Sequence, residues 1–320
     1  MKRVAVLRGG PSLEHDVSMR SGASVLEALK QHPYHCQDIV ITKRGEWLEN
    51  GFIKNPEKIL DAVDVVFLAL HGQYGEDGQV QKILQRKQIP FTGSRSLPSA
   101  IAFNKQLTKK TLVGYGVKTP RYRTFYRSEL ENLSENTAQI MLDIGPELLI
   151  KPVTGGSSLG IVATNDETSL KNALFKLLSD HEQLLIEEFV RGREATVGVI
   201  SNFRNQDIYA LPVVEIVPPE GKSVFTYDDK YSGQTREICP ANFTYHEKSR
   251  LTEIATLVHK ILGCEHYTRS DFIVRNGEVY FLELNTLPGL TPESLFPKAA
   301  AAVGLNFPEL IKHLVETAAV

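Results

Sequence analysis

The chain has 320 residues, 42% of them hydrophobic, and a formal charge of −2. That is enough apolar content for more than one core, so two or three domains are expected. Near-balanced charge argues against a nucleic-acid or membrane-surface protein, no stretch approaches the roughly 18 apolar residues of a membrane span, and three scattered cysteines without a CxxC pair suit buried thiols in a reducing cytoplasm.

Residues 2–92 alternate apolar runs with helical patterns: strands at 2–8, 37–42 and 63–70, helices at about 18–30 and 78–87. This alternation predicts a parallel α/β layer with functional loops at the carboxyl ends of its strands. Two such loops stand out, Gly9-Gly10-Pro11-Ser12-Leu13-Glu14-His15-Asp16-Val17-Ser18 and His71-Gly72-Gln73-Tyr74-Gly75-Glu76-Asp77-Gly78. A tight turn with Ser18 capping the next helix explains the first as well as a binding role does, and His71 equally suits a satisfied histidine at a strand end. Neither loop fits the dinucleotide fingerprint GxGxxG.

A helical pattern from Ser99 to Val113 carries Asn104-Lys105 and Lys109-Lys110. Lysines repeated on a helix usually form a solvated face, so Lys105 gains meaning only if it enters a cleft. The run Leu148-Leu149-Ile150-Lys151-Pro152-Val153-Thr154-Gly155-Gly156-Ser157-Ser158-Leu159-Gly160 follows, a strand that delivers a lysine to a Gly/Ser loop rich in free N–H groups. Such a loop can cradle phosphate, although a plain flexible hairpin is also open. It is not a Walker A loop: the one Gly-Lys-Ser, at 221–223, has Ile216 where the first glycine is required.

Past a helix at 166–179, the strand Leu184-Leu185-Ile186-Glu187-Glu188-Phe189-Val190 turns acidic and enters Arg191-Gly192-Arg193-Glu194, a linker suited to an adenine. A strand at 194–200 begins another sheet. Residues 224–236, containing Lys230 and Tyr231, form a loop long enough to be a lid between a strand ending near Val217 and a helix at about 246–262. Helices at about 293–303 and 306–318 end the chain.

The richest stretch is 269–295. Glu283 and Asn285 stand two apart in a strand and so share a face. Asp271 lies on the partner strand, joined through Asn276-Gly277. A three-residue loop, Arg275-Asn276-Gly277, would pair Val274 with Glu278 and bring Asp271 to the face of Glu283, whereas a two-residue loop would separate them; the first is expected. Three oxygen-bearing side chains without His or Cys suit Mg²⁺ or Mn²⁺, but polar ends of an ordinary strand are equally open on this pattern alone. The loop Thr286-Leu287-Pro288-Gly289-Leu290-Thr291-Pro292 offers N–H groups near a helix start, with Arg269 across from it, as a developing oxyanion would need.

Taken in order, GGPSLEHDVS, HGQYGEDG, KPVTGGSSLG, EEF…GRE, DKY and RSDF…LELNTLPGLTPESL resemble the D-alanine:D-alanine ligases of the ATP-grasp superfamily, essentially end to end. The resemblance implies an α/β (α+β) three-domain ATP-grasp fold with an N-terminal parallel α/β domain: 1–93, 94–187 and 188–320, the last carrying lid 224–236. It implies ATP as co-substrate, two Mg²⁺ or Mn²⁺ ions, a cytoplasmic homodimer, and D-alanyl-D-alanine made through an acyl phosphate. By the same resemblance Lys105, Lys151, Ser158, Glu187, Glu188, Phe189 and Glu194 would hold ATP, and Asp271, Glu283 and Asn285 the metals. Glu14 would receive the first D-alanine's ammonium, with Ser157 and Tyr231 closing the site. Arg269 and the Gly289 N–H would form the oxyanion hole, and His71, Lys230, Ser294 and Leu295 would serve the substrates. Two departures bear on substrate preference: Asn104 stands where relatives usually carry Asp, and Glu293 precedes Ser294. A ligase using D-serine or D-lactate second, another ATP-grasp carboxylate-amine ligase, and a nucleotide-binding regulator without turnover are the competing expectations.

Overall fold

The computed structural model describes residues 1–156, 160–218 and 235–318, which build three sheets. In the first, β1 (Lys2–Gly9) lies between β2 (Tyr34–Ile41) and β5 (Val65–Leu68), all parallel, with the short antiparallel β3 (Trp47–Glu49) and β4 (Phe52–Ile53) beyond β2. Val4 to Leu7 and Val65 to Leu68 are buried on both faces, which is why they read as unbroken apolar runs. Helix α1 (His15–Leu29) starts earlier than expected, and α2 (Pro56–Leu60) and α3 (Gln79–Arg86) follow it. Ser18 sits inside α1 and is no cap; its Oγ accepts from Gly9 N and donates to Ala69 O, both at 2.7 Å, tying β1 to the chain after β5.

The second sheet is antiparallel, in the order β6 (Tyr122–Tyr126), β9 (Gln183–Glu188), β7 (Leu148–Pro152), β8 (Val162–Thr164). Helices α6 (Leu133–Ile144) and α7 (Glu167–Leu177) supply its core partners, including Ile140, Ile144, Leu170 and Leu174. The third sheet runs β13 (Arg236–Ile238), β12 (Val214–Val217), β10 (Arg193–Phe203), β14 (Tyr267–Arg275), β15 (Glu278–Asn285), with β11 (Gln206–Ala210) paired to β10. Helix α8 (Tyr245–Ile261) covers it, started by a capping box between Thr244 and Glu247.

Where the pattern suggested one helix, α4 (Ser96–Phe103) and α5 (Lys105–Val113) are separate. Asn104 breaks them: its backbone is extended, and its Oδ1 accepts from Leu107 N at 3.0 Å. Asn and Asp cap helices about equally well, so this turn survives the departure from the usual Asp. The last helices, α9 (Leu295–Ala301) and α10 (Phe307–Ala318), put Phe296, Leu310, Ile311 and Leu314 into the same core as β1 and β5. The end of the chain is thereby packed against its beginning, and the loops that carry the site are braced from both sides.

Candidate active site

A cleft of ≈ 980 Å³ collects residues from all three sheets, among them Glu14, His71, Lys151, Glu187, Asp271, Glu283 and Ser294.

On the first-sheet side Glu14 immediately precedes α1. Its carboxylate fills space that glycine leaves: a Cβ on Gly72 would lie 2.7 Å from Glu14 Oε2, and one on Gly156 3.4 Å from it. His71 is buried, with Nε2 2.8 Å from Ser21 Oγ and Nδ1 3.0 Å from Leu287 O. Since a carbonyl only accepts, Nδ1 carries a proton toward Leu287 O, and Nε2 is paired with the Ser21 hydroxyl. His71 therefore pins the loop after β15 to the first sheet. Glu76 Oε1 stands 3.8 Å from Nδ1; burial pushes its carboxyl above the ordinary range, His71 opposing and the Glu14 charge reinforcing the shift.

On the second-sheet side Glu187 lies between two lysines. Lys109 Nζ is 2.8 Å from Oε1 and Lys151 Nζ 2.7 Å from Oε2, and none of the three side chains is more than 6% exposed. Burial raises the Glu187 carboxyl, but the two cations more than offset it, so its pKa falls below the ordinary value and it stays ionised. Burial also dominates at Lys109, lowering it to about 8 with Lys151 adding and Glu187 opposing, so it remains a cation at neutral pH. The solvated face expected of a lysine pair on a helix holds for Lys110 alone, which is exposed. The signal available was spacing: Lys105 and Lys109 are four apart and share a helix side.

Glu188 and Phe189 line the cleft, but the Glu188 carboxylate is held by Arg121 N and Nε, both at 3.0 Å, and Arg191 stands over the Phe189 ring at 5.2 Å. Glu194, half-buried at the start of β10, also faces the cleft. The expected adenine-side group is thus gathered, with Glu188 engaged by a neighbour.

The third sheet settles the hairpin differently from expectation. Asn276 and Gly277 both have positive φ, 53° and 80°, and form a two-residue turn that pairs Arg275 with Glu278 and Val274 with Val279. The three-residue loop is not adopted. A bulge restores the lost parity: Phe272 pairs with Phe281 but Asp271 with Glu283, leaving Leu282 extra. Leu282, Glu283 and Asn285 all reach the cleft, while Phe281 and Leu284 stay in the core.

Asp271 is strongly tethered. Arg269 donates to it through Nε and Nη2 at 2.9 and 2.8 Å, Thr196 Oγ1 at 2.6 Å, and Asn285 Nδ2 at 3.2 Å. Burial works against the Arg269 charge, yet Asp271 holds its pKa above the ordinary value. Lys105 Nζ, buried, lies 3.4 Å from Glu283 Oε2 and donates to Gly155 O. Among the described residues, Arg269 is paired with Asp271 and Lys105 with Glu283. Oxygen donors of this kind fit a hard divalent cation that brings its own anionic phosphates.

Ser294 begins α9 without capping it. Its Oγ accepts from Thr291 N at 3.2 Å and lies 2.9 Å from Thr291 Oγ1, so it is turned toward the 286–292 loop. A Cβ on Gly289 would meet Ser294 Oγ at 2.9 Å, which places the Gly289 backbone beside it. Leu295 lines the same wall, and Glu293 is exposed at its rim. Ser157, Ser158, Lys230, Tyr231 and most of the expected lid lie outside the described residues; from Arg236 the chain is a strand paired with Val217. Glu76 and Thr196 join the site without a signal of their own: Glu76 lies within the HGQYGEDG loop, whereas the contact of Thr196 with Asp271 spans 75 residues.

Two family models match the chain, "D-ala D-ala ligase N-terminus" over residues 3–60 and 50–94, and "D-ala D-ala ligase C-terminus" over 112–316. A D-alanine--D-alanine ligase of Desulforamulus reducens is 37% identical over 319 residues, covering 99% of this chain and 98% of the relative. One of Aquifex aeolicus is 36% identical over 98% of this chain and 99% of the relative. Among solved structures, the VanG D-Ala:D-Ser ligase of Enterococcus faecalis matches with a TM-score of 0.84 at 29% identity, covering 99% of each chain. The Bacillus anthracis D-alanine--D-alanine ligase complexed with ATP matches with a TM-score of 0.80 at 29% identity, covering 99% of this chain and 97% of that one.

Proposed function

The chain belongs to the D-alanine--D-alanine ligase family, and on that premise we propose that it joins two D-alanines into D-alanyl-D-alanine for peptidoglycan precursors, with ATP activating the first carboxylate as an acyl phosphate. The observation that carries this is one cleft with three chemically distinct edges: Glu14 at the first sheet, Lys151 with Glu187 at the second, and Asp271, Glu283 and Asn285 at the third. We assign the three sheets to domains 1–93, 94–187 and 188–320.

A carboxylate donates its acyl group poorly until phosphorylated, a step that needs spread charge and positioning more than a protein nucleophile. Lys105 and Lys151 are assigned to the phosphates, and Glu187, Glu188, Phe189 and Glu194 to the adenine and ribose side. For Glu188 this means the backbone, its carboxylate being bound to Arg121. Asp271, Glu283 and Asn285 would hold Mg²⁺ or Mn²⁺, which would screen the phosphate oxygens when bound.

Glu14 takes the first D-alanine's ammonium, with Ser157 and Tyr231 completing that corner. His71, already fixed by Ser21 and the Leu287 carbonyl, keeps the 286–292 loop at the reacting carboxyl. When the second amine attacks, Arg269, through the nitrogen it does not spend on Asp271, and the Gly289 N–H donate to the forming oxyanion; the carbonyl then re-forms as the bond to phosphate breaks, and phosphate departs with the proton the amine gives up. Ser294 and Leu295 receive the second carboxylate. Lys230 and its segment exclude water, which would otherwise hydrolyse the acyl phosphate. A cytoplasmic homodimer is the assembly we assign.

The likeness to a D-Ala:D-Ser ligase makes D-serine the second reading for the second substrate. ADP release with Mg²⁺ and D-alanine, alone or paired with D-serine, D-lactate or L-alanine, with products identified by mass, decides. D-Alanine-stimulated release yielding the dipeptide supports the proposal. A mixed product formed in preference to it moves the assignment to the other ligase, and tight ATP binding without any release ends the catalytic reading.

A further inference from the structure

Helix α5 carries two inward lysines that reach two different sheets. Lys105 Nζ is 3.4 Å from Glu283 on β15, whereas Lys109 Nζ, one turn on, is 2.8 Å from Glu187 on β9. The helix thus brackets the two walls between which the cleft runs. Glu187 and Lys151 line that cleft, but Lys109 has no exposed surface and does not.

We propose that Lys109 is a positioning residue of the nucleotide site, acting through Glu187 on Lys151 without touching the ligand. One carboxylate shared by two ammonium groups carries a net single positive charge. Each lysine takes one oxygen, so Lys151 is held by half of Glu187 and its charge is not cancelled. Without Lys109, Glu187 and Lys151 become a neutral pair, and the carboxylate draws Lys151 toward itself. The cleft then loses both the charge and the placement that phosphate oxygens require. Tyr122 closes the far side of Lys109, its ring centroid 5.8 Å from Nζ, and the 0% exposure leaves no path for a counter-ion from solvent.

This inference rests on the nucleotide reading above. It is tested by calorimetric binding of a non-hydrolysable ATP analogue to the full chain, with melting temperatures and steady-state KM values alongside. Lys109→Met is expected to weaken nucleotide binding about tenfold or more, as for a broken buried ion pair. The KM for D-alanine should stay within about twofold, a split that a general loss of structure would not give. Lys109→Arg keeps the charge and should hold nucleotide affinity within about threefold. In a Glu187→Gln background, Lys109→Met should add less than about threefold, because its route to the ligand is already cut.

Wild-type nucleotide affinity in a folded Lys109→Met variant overturns the proposal, as do equal losses in both backgrounds. If the orphaned carboxylate unfolds Lys109→Met, the other variants carry the test. Lys109→Arg must then keep its affinity, and the double variant must bind about as well as Glu187→Gln alone; failure of either overturns it. No nucleotide binding by the wild-type chain would remove the underlying nucleotide reading instead.

Discussion

Asp271 stands directly across from Glu283 although the next residue, Phe272, pairs with Phe281. Leu282 is the residue that makes both pairings possible. A regular ladder from the Asn276-Gly277 turn would have set Asp271 opposite Leu282 and turned Glu283 and Asn285 toward the core. The bulge puts two consecutive residues on the cleft side, so a hydrophobic strand can present a carboxylate and a carboxamide without giving up Phe281 and Leu284 to solvent.

Glu283→Ala is expected to cut turnover by a factor on the order of 10³ while leaving the fold intact, since it removes both the partner of Lys105 and a carboxylate assigned to the cation. Its side chain is 28% exposed, so little burial is lost. Because Arg269 and Lys105 already engage the Asp271 and Glu283 carboxylates, Mn²⁺ should bind weakly to the bare protein and much more tightly with nucleotide present. Electron paramagnetic resonance titration of free Mn²⁺, with and without an ATP analogue, checks this. Tight binding to the bare protein would contradict this.

Ser294→Ala should raise KM for the second substrate by about tenfold with kcat changed less than about threefold, the signature of lost uniform binding. Among the described residues its hydroxyl hydrogen-bonds to Thr291 alone and caps nothing, so stability should change little. Two-substrate kinetics separate the two D-alanine sites. Equal rises in both KM values would place Ser294 elsewhere in the cycle.

Much of this arrangement is legible in the sequence because it is built from local period. Parallel strands buried on both faces read as apolar runs, and Glu283 and Asn285 share a face by strand alternation. What is not legible is parity across a turn. Asn276-Gly277 signals a tight hairpin, but nothing local says that a bulge lies five residues on, at Leu282. The same holds for Lys109: a lysine pair on a helix is usually solvated, and only the position of β9, more than 70 residues later, makes one of them a buried partner of Glu187. The short β3, β4 and β13 are not legible for another reason, since strands of two or three residues have no pattern length.

His259 offers a stability test remote from the chemistry. It is buried between α8 and β14, with Nδ1 2.8 Å from Thr268 Oγ1, and burial with the nearby His266 lowers it from an ordinary 6.5 to about 4. Between these values the unfolded chain binds a proton that the folded chain refuses. Stability is therefore full above pH 6.5 and falls as pH drops toward 4, by on the order of 2 kcal/mol at pH 5. Urea unfolding from pH 8 to 5 should show this slope, and His259→Gln should flatten it. His266, lowered in the same direction by burial, will leave a residual slope in that variant.

Gly72 tests Glu14 without mutating it. The backbone there has φ +73°, and a Cβ would lie 2.7 Å from Glu14 Oε2 and 3.1 Å from Ser12 Cβ. Gly72→Ala therefore costs about 1 kcal/mol in left-handed backbone and must also push the Glu14 carboxylate aside. Ser12 cannot yield easily, because its Oγ donates to His71 O at 2.6 Å. The flexible end of Glu14 is what moves, and it is the group assigned to the first ammonium. We expect a KM for the first D-alanine raised by about tenfold or more, with nucleotide affinity unchanged within about twofold. Binding assays for each ligand, beside a melting curve, distinguish this from general damage. A loss of nucleotide affinity as large as the loss for D-alanine would show that the Gly72 turn supports the whole cleft rather than Glu14 alone.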